Sequence, residues 1–228
     1  MKFHRIQYWL ALVLGSSCLC AAGLAATDDR GEREQQVLIP LGPLAKRQGK
    51  QLILRLNGGK DVVLRSTDPC ADPSTDPELC LEYRLLGLSP NGKFFVVEAL
   101  AWESGTWLWI GRDSGTQYEV YDEPHLSPTG EWLVTANPSE YGGTNGVFVW
   151  SVSGDRLIEE LHYEPQEYAL YSFVRWEGPD SLRLSKYTHA DKSVCSSAQA
   201  MEHDVLLRRV GSSWKFDEKS GLKSARCK

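Results

Sequence analysis

Two ten-residue segments constrain the fold more than any other feature of the chain. Leu88-Ser89-Pro90-Asn91-Gly92-Lys93-Phe94-Phe95-Val96-Val97 and Leu126-Ser127-Pro128-Thr129-Gly130-Glu131-Trp132-Leu133-Val134-Thr135 follow one pattern at an offset of 38 residues. In each, proline sets one turn dihedral, glycine permits a positive one, and the apolar run that follows reads as a buried central strand. A second strand and turn keep step with the first. Trp107-Leu108-Trp109-Ile110 ends at Gly115, and Val147-Phe148-Val149-Trp150 ends at Gly154. A degenerate third copy runs over residues 174–184 and 205–211, split by an insertion at 188–203 that carries Cys195. The repeating unit has the length of a small antiparallel sheet.

Alternation of apolar and polar residues dominates elsewhere, and no long stretch sustains helical periodicity, so the predicted class is all-β. Residues 51–56 and 62–64 flank Asn57-Gly58-Gly59-Lys60, a turn sequence suited to a hairpin. With 42% hydrophobic residues in 228, the chain has the composition of a globular protein.

The Ser-Pro-x-Gly turn followed by an apolar strand resembles the blade turns of TolB-like and WD40-like β-propellers. The resemblance covers about three units from Leu81 to Phe216, with the N-terminal hairpin as a fourth. It implies antiparallel blade-like sheets in a small or partial propeller, since at about 40–45 residues per blade the chain holds only four or five. A two-sheet β-sandwich is the alternative that such periodicity allows. The family hosts scaffolds, receptors and enzymes, so the architecture leaves function open.

The N-terminus has the order of a secretory signal: Lys2 and Arg5, an apolar run from Tyr8 to Leu14, then small residues up to Ala26. Gly15, Ser16 and Ser17 interrupt the run too early for a membrane-spanning helix. Cys18 and Cys20 suggest a lipoprotein anchor, but Gly15 and Ser17 stand where its lipobox carries leucine, so a periplasmic or secreted chain cleaved near Ala26 is the expectation. Residues 27–36 read as a polar, solvated leader and 37–228 as one β domain. Losing Lys2 and Arg5 takes the formal charge from -5 to -7, which leaves no basic field for nucleic acid or anionic lipid.

Four cysteines then remain, Cys70, Cys80, Cys195 and Cys227, an even set that reads as disulfides. Three connectivities are open, and proximity favours Cys70 with Cys80 and Cys195 with Cys227. Their spacing lacks the Cys-x2-Cys pairs of zinc sites, and neither a metal nor another cofactor is expected.

Catalytic signatures are scarce. Gly-x-Ser-x-Gly, His-Glu-x-x-His and phosphate-binding glycine loops do not occur, and Ser220-Gly221-Leu222-Lys223 matches Ser-x-x-Lys without its partner motifs. His189, Asp191, Glu202 and His203 bracket the insertion and would form an acid-base or metal site if it folded back on itself. Asp122, Glu123 and His125 precede a repeat turn and read as turn chemistry. Binding features carry more weight than these. The loop from Cys70 to Cys80, with Asp72, Asp76, Glu78 and two prolines, would present a stiff acidic segment to a partner. Glu140 and Tyr141 mark a second, glycine-rich rim loop. Trp102, Trp107 and Trp109 would make an aromatic platform for a glycan if their strand face were exposed, and core if it were covered. The sequence thus points to an exported, non-enzymatic protein that binds another protein through loops at one end of its sheets, of the inhibitor or immunity type.

Overall fold

The structure, a computed structural model, describes residues 29–67, 79–101, 104–140, 144–219 and 221–228. Among them are one α-helix, α1 (Asp29–Leu41), and four antiparallel sheets. The first sheet contains β1 (Ala45–Gln48), β2 (Gln51–Arg55) and β3 (Asp61–Arg65). The second contains β4 (Glu82–Leu88), β5 (Phe94–Leu100), β6 (Gly105–Gly111) and β7 (Gln117–Val120). In the third are β8 (His125–Leu126), β9 (Trp132–Asn137), β10 (Gly146–Ser153) and β11 (Arg156–Tyr163). The fourth holds β12 (Ala169–Gly178), β13 (Ser181–His189), β14 (Ala200–Val210) and β15 (Ser213–Asp217), and β16 (Arg226–Cys227) returns to pair with β14. Every sheet is a meander in chain order, so the predicted all-β class with about four units stands. None closes into a barrel, and there are four sheets rather than the two of a sandwich.

The repeated turns fold alike, for a reason that includes their serine. Gly92 and Gly130 hold φ of +67° and +74°, the left-handed region that favours glycine. The Ser89 hydroxyl accepts the Phe94 amide at 3.0 Å, and that of Ser127 accepts the Trp132 amide at 3.1 Å. Both serines are buried. Each hydroxyl therefore satisfies the first amide of the strand that follows, in a place that water does not reach.

Three apolar cores join the sheets in sequence order. Leu52, Leu54 and Leu64 of the first sheet meet Phe95, Val97 and Ile110 of the second. Phe94, Val96 and Trp109 on the other face of the second meet Leu133, Phe148 and Trp150 of the third. Trp132, Val134 and Val149 then meet Tyr171, Leu184, Val205 and Trp214 of the fourth. Successive residues of β5, β9 and β10 thus enter different cores, which is why these strands read as continuous apolar runs. In β14, by contrast, Met201, His203, Val205 and Leu207 are buried while the residues between them are not. That alternation marks a sheet covered on one face.

The N-terminal segment departs from expectation. Residues 27–36 were expected to be a solvated leader, yet from Asp29 onward the chain is helical. Glu34, Val37, Leu38 and Leu41 recur at the spacing of one helix face, and the three apolar members pack into the first core. Pro40 lacks the amide needed to continue the helix, and Gly42 at φ +51° ends it. Glu34 is only 7% exposed. Its carboxylate accepts Arg47 Nε at 2.9 Å and the Leu85 amide at 2.8 Å, so the charge is buried with partners from both sheets it touches.

Removing one member of a buried ion pair strands the other, so Glu34→Ala should lower unfolding stability by about 3–5 kcal/mol. Arg55→Ala, which breaks the half-exposed pair with Asp61, should cost no more than about 1 kcal/mol. Urea denaturation of both variants checks the contrast.

Candidate functional site: the loop end of the sheets

Antiparallel meanders send their connections alternately to two ends, and here the ends differ. At one lie the tight turns at 57–60, 89–93, 112–116, 127–131, 153–155, 178–181 and 211–212. They are tied across sheets. The Asp155 carboxylate accepts the amides of Asp113 at 2.9 Å and Ser114 at 2.6 Å, and a side chain at Gly111 would collide with it. Those hydrogen bonds outweigh the upward push of burial and hold the Asp155 carboxyl below its ordinary pKa. Arg112 donates to the Gly92 carbonyl at 2.8 Å and to Asn57 at 3.1 Å, and Trp132 Nε1 donates to Asp180 at 2.8 Å. This end is a fastened rim.

The opposite end receives the tight β1–β2 turn at 49–50 and the connections 66–81, 101–104, 121–124, 138–145, 164–168 and 190–199, together with the C-terminal tail. These include every loop that the sequence singles out as a binding feature. Asp72, Asp76 and Glu78, with Cys70, belong to the link from β3 to β4, Trp102 to that from β5 to β6, and Tyr141 to that from β9 to β10; all six residues lie outside the described ones. Glu140 is described. Tyr168 donates to its carboxylate at 2.7 Å, and the tyrosine ring packs 4.8 Å from that of His189. Thr188 donates to the Tyr168 carbonyl at 2.8 Å. Tyr168 therefore joins its own loop, the 138–145 loop and the end of β13, a role that no sequence periodicity announces.

Beneath this end each sheet interface carries a charged pair. Glu34 with Arg47 lies between the first and second sheets, and Arg84 with Glu98 on the second sheet faces the third. Lys186 binds the Glu218 carboxylate at 2.9 and 3.0 Å between the third and fourth. Tyr171 donates to the same carboxylate at 3.1 Å. Burial first, then the neighbouring Tyr163 and Glu218, push the Tyr171 hydroxyl pKa well up and keep it a proton donor. Lys186 falls in phase with Leu182 and Leu184, and a lysine at a core-facing strand position is the signal that betrays a carboxylate partner.

The two histidines of the third unit do not converge. Strand alternation puts His203 on the core face of β14 and His189 on the outer face of β13, so they cannot share a proton or a metal. The insertion is also shorter than expected, since β13 continues through His189 and β14 starts at Ala200. His125 is stacked 3.9 Å from Phe173, and burial pushes its pKa down against the pull of Glu123 and Asp122. The aromatic platform is corrected too. Trp109 is 2% exposed and 5.1 Å from Phe94 in the second core, and Trp107 packs partly buried against that core. The reason is position: the second sheet is covered on both faces.

The disulfide Cys195–Cys227 pairs as proximity favours, and it fixes the tail to the 190–199 loop. Cys80 is also disulfide-bonded and buried. The tail crosses the outer face of the fourth sheet so closely that a side chain at Gly221 would overlap the Asp204 backbone. Arg183, Asp204, Leu206, Arg208, Gly221 and Ser224 line a cavity of about 290 Å³ there. Its charges already answer one another: Arg183 meets Asp204 and Glu177, and Arg208 meets Asp217.

No protein-family model matches the chain, and no curated protein matches it. Among solved structures, it is similar at 15% identity and a TM-score of 0.30 to a chain from a structural and mechanistic study of two prolyl endopeptidases, covering 76% of this chain and 34% of that one.

Glu202 fastens the tail. Hydrogen bonds from Arg226 and Ser185 hold its carboxyl at a pKa of about 2, below the ordinary 4.5, against the opposing effect of burial. A carboxyl held low contributes stability that is complete above 4.5 and is lost as the pH falls toward 2. Amide exchange protection of residues 226–228 should vanish across that interval with the disulfide intact, and Glu202→Gln should remove it already at neutral pH.

Proposed function

We propose that this chain is an exported, non-enzymatic binding protein of β-propeller-like build, whose loop end covers a basic surface on another protein. The observation that carries the reading is the contrast between the two ends. One is closed by short turns bonded to one another, and the other collects every longer connection. Glu123, Glu140, Glu164, Glu167 and Asp191 are exposed at the loop end, and the sequence adds Asp72, Asp76 and Glu78 to the same set of connections. A rigid scaffold with its acidic side chains gathered on adjacent loops attracts and orients a cationic partner before contact. The disulfide fits an oxidising compartment, in keeping with the signal-like N-terminus. An inhibitor or immunity-type role follows from plugging a basic cleft with the segment from Cys70 to Cys80.

Affinity capture with the mature, oxidised protein from its own envelope extract should retain one stoichiometric protein at moderate salt. Its association rate should fall as salt rises. Replacing Asp72, Asp76 and Glu78 by Asn and Gln, or Glu123 and Glu167 by Lys, should weaken capture about tenfold or more while the far-ultraviolet circular dichroism stays unchanged. A partner held equally well by both variants would remove the loop end from the reading.

A further inference from the structure

The interface between the third and fourth sheets contains a buried titratable group on the core face of β14. His203 is 2% exposed, at a position where β14 otherwise buries Met201, Val205 and Leu207. Among the described residues, neither ring nitrogen has a hydrogen-bond partner. A buried imidazole ordinarily settles at least one nitrogen on a carbonyl or carboxylate, and leaving both unpaired is costly.

Its surroundings make a second charge unwelcome. In cross-strand register, Tyr171 of β12, Lys186 of β13 and His203 of β14 form one row on the face toward the third sheet. Lys186 stands between the other two, with its ammonium 5.6 Å from the Tyr171 ring. Glu218, beyond β15, is the carboxylate on this side, and it is already held by Lys186 and Tyr171. The third sheet contributes Tyr163 of β11, whose ring packs 5.8 Å from Tyr171. Asp204 is next in the chain but turned to the opposite face, where Arg183 engages it. Glu202 likewise points away, bound to Arg226 and Lys228. An imidazolium at 203 would thus sit beside an ammonium, buried, and among the described residues the carboxylate on this side is already engaged.

We propose that His203 is an acid-operated wedge: neutral, it fills the seam between the third and fourth sheets, and protonated, it drives them apart at the loop end. Burial and the neighbouring Lys186 both act against protonation, outweighing the pull of Glu218 and Asp204, so the folded state binds this proton more weakly than the unfolded chain. The sign follows from that inequality. The contribution to stability is complete above the ordinary histidine pKa near 6.5 and is lost as the pH falls below it. Each proton bound on opening raises the open population by up to about tenfold per pH unit. The wedge does not depend on the proposed partner, because it is read on the isolated protein.

Hydrogen exchange on the wild-type chain at pH 7.5 and 5.5, corrected for intrinsic rates, tests it directly. Protection should fall about tenfold or more in residues 182–186 and 203–207 and hold in residues 94–97 of the second core. Uniform loss across both cores, or no loss in either, would overturn the proposal. His203→Phe, a filler without a proton, should abolish the pH dependence at the seam, whereas His125→Phe and His162→Gln should leave it in place. If the pH dependence moves with His125 instead, or survives in a folded His203→Phe protein, the wedge is wrong. Should His203→Phe fail to fold, the wild-type exchange pattern decides alone.

Discussion

Burial of both faces of the second and third sheets is the constraint from which the remaining architecture follows. A strand covered on one side can alternate, but β5 and β10 must be apolar at successive positions, because Phe94 and Phe95, or Val149 and Trp150, enter different cores. Each such sheet needs a neighbour on either side. The first and fourth sheets supply those neighbours and are themselves amphipathic, with alternating burial in β13 and β14 and exposed positions on β2 and β3. The order of the sheets in space is therefore the order of the chain, and short links between consecutive meanders suffice to build it.

The same arrangement explains why the tightest chemistry lies at the turn end. The apolar middle of each interface fixes the spacing of the sheets, and the turns must then meet at fixed separations. Asp155 reaching the Asp113 and Ser114 amides, and Trp132 reaching Asp180, exploit that fixed geometry. Gly111 is required because the carboxylate of Asp155 occupies the place where a Cβ would stand. Arg209 lies 4.7 Å over the Trp132 ring and covers the edge of the third core. These contacts join residues 40 or more positions apart, so they reinforce the stacking of sheets rather than any one hairpin.

Much of this was legible in the chain and part was not, for identifiable reasons. The repeated turn and its spacing disclosed two of the sheets, because proline and glycine there have dihedral requirements that few other structures meet. The degenerate third copy yielded the fourth sheet, and the Asn57-Gly58-Gly59-Lys60 turn the β2–β3 hairpin. The helix α1 was hidden by Glu34, whose charge breaks the apolar face over residues 34–41 until its partners Arg47 and the Leu85 amide are in view. Trp107 and Trp109 were ambiguous because strand alternation tells which residues share a face, and only the tertiary order tells whether that face is covered. Of the candidate site, the loops could be named from composition, but their gathering at one end is a property of the meander. Tyr168, Lys186 and Glu218 act through partners 20 or more residues away and leave no local pattern.

The interfaces are also uneven along their length, and this bears on what the loop end can do. Toward the turns they hold aromatic and aliphatic side chains in mutual contact, as where Trp132 meets Trp214 edge-on at 5.3 Å. Toward the loops they hold Glu34 with Arg47, Arg84 with Glu98, and Lys186 with Glu218. Partly shielded pairs of this kind add less net stability than apolar packing of the same volume, since desolvation offsets most of their attraction. Even there the seam between the third and fourth sheets is not purely polar, since Tyr163, Tyr171 and Phe216 pack together beside Lys186 and Glu218. A scaffold built this way sets its sheet spacing by apolar contact near the turns and adds directional, charged contacts beneath the loops.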